Sequence, residues 1–207
     1  MSDNVTMKTI QTKIDTIESL FEPYNLHSAS LQGRQALSDD AEKKDFVYGE
    51  VKLHEIGNAL DLLELDQTHT FFDYGSGSGK ITFFASQLQL FAKCIGIEML
   101  QTLYETSMLV SENFKNQFPT ATPFEFINQS FLDYPLKGKC CIFTNAICFS
   151  EDTCEGMTRQ FTDLDIGSYI LTNKILNLPD SYKEAHYLSS VEASWGSTSL
   201  YIHQKVS

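Results

Sequence analysis

The segment from Thr70 to Phe91 constrains this chain most. A short apolar run, Thr70-Phe71-Phe72, meets a loop with glycine at every second position, Asp73-Tyr74-Gly75-Ser76-Gly77-Ser78-Gly79, and a helix-like segment follows to Phe91. Strand, tight loop and helix in that order form the opening unit of an open α/β sheet, because glycine tolerates φ > 0 and lets backbone N–H groups gather at a helix N-terminus. The alternation then repeats. Cys94-Ile95-Gly96-Ile97 makes a second strand, Leu103 to Phe114 a helix, Phe124 to Ile127 a third strand and Cys140 to Phe143 a fourth. Residues 151 to 165 form the next helix and Ser168 to Leu171 a fifth strand. Short apolar strands separated by helices predict a parallel sheet covered on both faces. Tyr187-Leu188-Ser189-Ser190-Val191 and Ser197-Thr198-Ser199-Leu200-Tyr201-Ile202 then alternate as an antiparallel pair would. The predicted fold class is therefore α/β, a Rossmann-like sheet of five parallel strands plus a C-terminal antiparallel hairpin.

Upstream, Ile10, Ile14, Ile17 and Phe21 recur at helical spacing until Glu22-Pro23 restricts the backbone. Residues 24 to 45, with Ser28, Ser30, Gly33 and Ser38-Asp39-Asp40, carry turn chemistry and read as a loop-rich connection. Leu53, Ile56, Leu60 and Leu63 restore a helix predicted to end near Asp66. A chain of 207 residues suits one full domain with a small addition. The division expected is a helical extension over 1–45 and the sheet domain over 46–207.

Charge narrows the partners. Fifteen Lys+Arg against 27 Asp+Glu give −12, the wrong sign for holding a phosphate backbone or an anionic membrane surface. The densest basic pair, Lys43-Lys44, is followed at once by Asp45. The first residues lack a basic start leading into an apolar run, and no stretch approaches the ~18 apolar residues of a membrane span, so a cytoplasmic location is expected. The five cysteines lack C-x-x-C spacing and read as reduced, mostly core thiols. His27, His54, His69, His186 and His203 are too scattered for a metal set, and no G-x-S-x-G elbow seats a nucleophile.

The glycine loop itself is D-x-G-x-G-x-G. A dinucleotide fingerprint would need glycine where Lys80 stands. The pattern resembles motif I of the seven-strand, S-adenosylmethionine-dependent methyltransferases, in which the glycines let the backbone approach the amino-acid part of the cofactor. At the end of the second strand Glu98 supplies a carboxylate able to accept hydrogen bonds from a ribose diol.

Further segments, in order, resemble the disruptor-of-telomeric-silencing family of seven-strand histone lysine methyltransferases. Phe46-Val47-Tyr48-Gly49-Glu50-Val51 looks like its upstream loop, and Phe72 to Lys80 like D-L-G-S-G-V-G-Q. Gly96-Ile97-Glu98 is similar to G-V-E, and Ile142-Phe143-Thr144-Asn145-Ala146-Ile147-Cys148-Phe149 to I-F-V-N-N-F-A-F. Ala193-Ser194-Trp195 with Ser199-Leu200-Tyr201-Ile202-His203 looks like V-S-W followed by S-Y-Y-L-H. The resemblance implies that Tyr48 and Glu50 lie against the methionine end of S-adenosylmethionine, with Asp73, Gly75 and Gly77 beneath it. It implies that Glu98 takes the ribose and that Phe131, next to Ser130, flanks the adenine. Asn145, Phe149, Trp195 and Tyr201 would line the channel for a lysine side chain, Asn145 also touching the cofactor. Two departures stand out: Ser130 replaces the family's acidic residue, leaving Asp133 as a substitute, and Leu200 replaces the first of two tyrosines.

The residues support the same reading independently at one point: Asn145 is a polar amide just past an apolar strand, at the carboxyl end where open α/β sheets bind ligands. The expected function is methyl transfer from S-adenosylmethionine to a lysine of a protein, a basic one given the acidic chain. The alternatives are a small-molecule acceptor, another protein group, or a cofactor-binding domain without catalysis.

Overall fold

The computed structural model describes residues 2–37 and 45–207, with side chains of the first helix described from Ile10 onward. The turn signals Ser38-Asp39-Asp40 and the pair Lys43-Lys44 lie outside the described residues. At the centre of the sheet β1 (Thr70–Tyr74) runs parallel to β2 (Lys93–Ile97) on one side and β4 (Cys140–Thr144) on the other. β3 (Phe124–Ile127) extends the β2 side and β5 (Tyr169–Thr172) the β4 side. β7 (Gly196–Lys205) then pairs antiparallel with β5, and β6 (Tyr182–Ala193) with β7. The resulting seven-stranded order, β3-β2-β1-β4-β5-β7-β6, reverses direction between β1 and β4. That reversal opens a crevice at the carboxyl ends of both strands.

Successive side chains of each strand point to opposite faces and fill two cores. Phe71, Cys94, Cys141, Phe143 and Leu171 face one layer, formed by α1 (Ser2–Phe21), α3 (Leu53–Leu60), α4 (Lys80–Leu88) and α5 (Gln101–Gln117). Phe72, Tyr74, Ile95, Ile142 and Ile170 face the other, with Met157 and Phe161 of α6 (Glu151–Phe161). Ile14, Ile17 and Phe21 of α1 are buried in the first core, and Phe21 meets Phe83 of α4 with ring centroids 6.0 Å apart. Cys94, Cys140 and Cys141 are buried and Cys148 and Cys154 half-buried, all as free thiols. Among the described residues no helix is long and apolar enough to cross a membrane.

One expectation fails outright. The span 24–45, read as loop-rich, contains α2 (Leu26–Gln35). Ser28, Ser30 and Gly33 lie within this helix, not in a turn. Asn25 Oδ1 caps the helix by accepting from Ser28 N at 3.0 Å, and Thr102 of α5 donates its hydroxyl to Ala29 O at 2.6 Å. Gly33 lies so close to α5 that a Cβ there would stand 2.6 Å from Thr102 Oγ1. Boundaries also move. α3 ends at Leu60 instead of near Asp66, because the chain turns so that Leu63 reaches the core without continuing the helix. α4 stops at Leu88, where Gln89 adopts φ 59°, so Phe91 packs on Phe71 at 5.1 Å from a turn. α6 ends at Phe161, ahead of a turn at Gly167 with φ 92°.

Candidate active site

The glycine loop is built as its spacing demands. Gly75, Gly77 and Gly79 have φ of 72°, 56° and 92°, values that favour glycine. Gly79 caps α4, and a Cβ on it would sit 2.5 Å from the Phe126 ring. Gly75 N and Ser76 N both donate to Ile97 O at 3.0 Å, tying the loop to the end of β2. Glu98 follows there, accepting from Gly77 N at 2.8 Å and from Leu100 N at 2.7 Å. Burial raises its carboxyl, while those N–H groups pull it back. Asp73 accepts from Thr82 Oγ1 at 2.8 Å. Burial, reinforced by the charge of Glu98 and opposed by the Thr82 hydroxyl, pushes the Asp73 carboxyl up to about 7.

A cavity of about 400 Å³ opens over the carboxyl ends of β1, β2 and β4. Its walls bring together Tyr48, Glu50, Asp73, Gly75, Gly77 and Glu98 with Ser130, Phe131, Asn145 and Phe149. At one end Phe131 stacks on Tyr74 with centroids 4.7 Å apart and planes 13° from parallel, and Phe149 lies 5.4 Å from Phe131. Ser130 spends its hydroxyl on Leu132 N at 3.2 Å, capping the short turn that presents Phe131. Asp133 is exposed and lies outside the cavity walls.

At the other end residues 47–51 run across the cavity as a strap. The Tyr48 hydroxyl donates to Glu50, and its ring lies over Gly77, where a Cβ would be 3.0 Å from Tyr48 Cε2. Glu50 also receives Lys80 Nζ at 2.9 Å, and the same ammonium reaches Glu18 of α1 at 3.1 Å. Burial would lower the Lys80 pKa, but the two carboxylates outweigh it and hold it above the ordinary value. The strap is anchored to the β6–β7 turn: Ser194 N donates to Glu50 O at 2.8 Å, and Ser194 Oγ accepts from Glu50 N at 3.0 Å. Val51 bridges Ala193, and Lys52 N donates to Glu192 O at 3.0 Å.

The four residues expected around the methyl acceptor separate. Asn145 and Phe149 line the cavity. Trp195 does not, but its ring covers Gly49 so closely that a Cβ there would be 2.5 Å from Trp195 Cε3. Tyr201 stands apart from the cavity, its ring 5.2 Å from Tyr187, while Leu200 is fully buried in the core. Asn145 Nδ2 donates to Gly49 O at 2.9 Å, and Asn145 Oδ1 accepts from Asn173 Nδ2 at 2.5 Å. Asn173 Oδ1 in turn accepts from Ala146 N at 2.8 Å. Asn173 is absent from the sequence reading although the same signal marks it: a polar amide just beyond an apolar strand, here β5. Lys80, visible in the sequence only as the residue breaking a glycine pattern, proves to be a charged part of the wall.

The family described as Histone methylation protein DOT1 matches residues 28–205. Solved structures share the fold. A S-adenosylmethionine-dependent methyltransferase from Leishmania major superposes with TM-score 0.56 at 15% identity, covering 89% of this chain and 86% of its own. An rRNA methylase from Streptococcus thermophilus gives TM-score 0.52 at 13% identity over 74% of this chain and 97% of its own. TrmK from M. capricolum, in complex with S-adenosyl-homocysteine, gives 0.53 at 10% identity over 75% and 68%. No curated protein matches the sequence significantly. With a glycine loop, a buried strand-end acid and a strapped cavity at the sheet's switch point, and with the family match spanning most of its length, the chain belongs to the DOT1 histone-methylation family of S-adenosylmethionine-dependent methyltransferases.

Proposed function

We propose that this chain transfers a methyl group from S-adenosylmethionine to a lysine side chain of a protein. The residues present suit the cofactor. The cavity volume lies within the ~300 to 1,000 Å³ of small-molecule sites. Phe131 and Phe149 offer aromatic faces to an adenine, and each Glu98 oxygen keeps an acceptor position for a ribose hydroxyl after taking one N–H. Gly75 and Gly77 leave room at the amino-acid end, and the buried Ser76 hydroxyl has no partner among the described residues. Bound there, the cofactor supplies an electrophilic methyl on a sulfonium. The protein's part is to align the acceptor in line with that methyl and to exclude water.

The observation that carries the choice of acceptor is the state of the acids lining the cavity. Glu18 and Glu50 hold Lys80, Asp45 accepts from Ser150 and Thr153, Asp73 from Thr82, and Glu98 from Gly77 and Leu100. Each carboxylate is engaged, and the polar group at the acceptor end is the neutral amide of Asn145. An amide is no base, so in this reading the acceptor sheds its proton to water before the transfer. A lysine can do so at neutral pH at a cost of about 4.6 kcal/mol, and burial beside Phe149 and the Trp195-capped strap reduces that cost because desolvation disfavours the ammonium. Asn145, held on both sides, is suited to fix the direction of the amine. Tyr201 has no part in this assignment. The net charge of −12 favours a basic protein acceptor and argues against strong binding to nucleic acid.

The test is incubation with methyl-labelled cofactor and a cell lysate, followed by acid hydrolysis of labelled protein. Methyl-lysine supports the proposal. Label in small molecules or in RNA overturns the acceptor, and saturable cofactor binding without transfer to any fraction overturns catalysis.

A further inference from the structure

The family match begins at residue 28, whereas α1 ends at Phe21. Yet α1 supplies part of the wall at the strap end of the cavity. Glu18 lines it, and Glu18 Oε2 receives Lys80 Nζ at 3.1 Å while the same ammonium reaches Glu50 Oε2 at 2.9 Å. One turn further along α1, the Phe21 ring lies 5.4 Å from Lys80 Nζ. Lys80 is thus held from two sides by α1 and from a third by the strap. The remaining oxygen of Glu50 takes the Tyr48 hydroxyl.

We infer that α1 is a working part of the cofactor site: Glu18 acts as a positioning residue that, through Lys80, fixes the Glu50 carboxylate at the amino-acid end of the cofactor. This rests on the cofactor placement proposed above. A lysine side chain has many rotamers, and one carboxylate alone restrains it weakly. Two carboxylates and an aromatic face select one position. A space into which Lys80 could move without Glu18 lies beside it. On its outer side the Glu18–Lys80 pair borders an open groove lined by Phe21, Glu22, Pro23, Tyr24 and Leu26. Glu22 lines the same groove, so loss of Glu18 is expected to let the ammonium sample outward positions and to loosen its hold on Glu50. The consequence is selective. Among the described residues no hydrogen bond or ion pair joins Glu98 or Phe131, at the proposed nucleoside end, to Glu18 or Lys80, so their grip on a nucleoside should not change.

The experiment compares two ligands on the full chain by calorimetry. S-adenosyl-homocysteine carries the amino-acid end, and 5′-methylthioadenosine lacks it. Glu18→Gln is expected to weaken S-adenosyl-homocysteine roughly three- to tenfold, the scale of coupling within one ion-pair network, and to leave methylthioadenosine unchanged. In a Lys80→Gln background the Glu18→Gln change should have no further effect, because its route is gone. Glu18 is 43% exposed, so the variant is expected to fold, and its melting temperature is checked beside wild type. Equal weakening of both ligands, or of neither, overturns the inference while leaving the cofactor assignment in place. A wild-type protein that binds neither ligand overturns the cofactor assignment itself.

Discussion

Asn145 donates its side-chain amide to Gly49 O across 2.9 Å, joining the end of β4 to a strap 96 residues earlier in the chain. The residue proposed to orient the acceptor is therefore also one of those that tie the strap down, beside Ser194 and Lys80. Asn173 secures the other side of the same amide. In the proposed reading one small polar group serves both acceptor alignment and the strap.

Asn145→Ala leaves the Gly49 carbonyl and the Asn173 amide without this partner. Turnover is expected to fall about a hundredfold or more, the scale of losing one oriented contact in a transition state. Cofactor affinity should fall less, several-fold, because the strap loses one of its ties. Steady-state kinetics and calorimetry on the same variant measure both. Full activity in a folded Asn145→Ala protein would remove Asn145 from the site.

Glu98→Ala is expected to weaken cofactor binding at least roughly tenfold, since hydrogen bonds to a charged group contribute about 1.5 to 3 kcal/mol. The same change frees the N–H groups of Gly77 and Leu100, so the glycine loop loses an anchor. Unchanged affinity by calorimetry would contradict the ribose assignment.

Asp73, pushed up to about 7, keeps its proton in the folded chain at pH values where the unfolded chain has lost it. Between about 4 and 7 the unfolded state binds fewer protons, so stability of the ligand-free protein falls as pH rises through that window. Glu98, also raised, acts in the same sense. Melting temperatures across this range should decline more steeply for wild type than for Asp73→Asn. Parallel slopes in the two proteins would show that Asp73 does not titrate there.

Trp195 is the single tryptophan and its ring lies over Gly49, so its emission reports on the strap. Addition of S-adenosyl-homocysteine is expected to change intrinsic fluorescence saturably. Gly49→Ala should shift the emission to the red, because a Cβ at 2.5 Å displaces the indole toward solvent. An emission spectrum indifferent to both would mean that the strap and the β6–β7 turn do not move together.

Binding to DNA or nucleosomes should be weak and nonspecific at ~0.15 M salt, given the acidic balance and the scattered Lys and Arg. A gel shift at submicromolar protein would refute this.

What the sequence determined by itself is whatever depends on short range. The alternation of apolar strands and helices, the glycine loop between β1 and α4, and the antiparallel C-terminal pair were all legible, because side-chain period and φ preference are local properties. Resemblance to a family added the strap and the candidate residues, from Tyr48 to Asn145, that the cavity brings together. Local chemistry misled where a tertiary contact gave it another use. Ser28, Ser30 and Gly33 signal turns along the chain, but they lie within α2, and Gly33 is small because α5 approaches it closely. Only the tertiary structure decided which polar groups meet. Lys80 reaches Glu18 over 62 residues and Glu50 over 30, and Trp195 covers a glycine far upstream, none of which any local pattern encodes. It also separated Tyr201 from the cavity, because alternation fixes only that neighbouring residues take opposite faces, and which face meets the site depends on how β7 registers against β5.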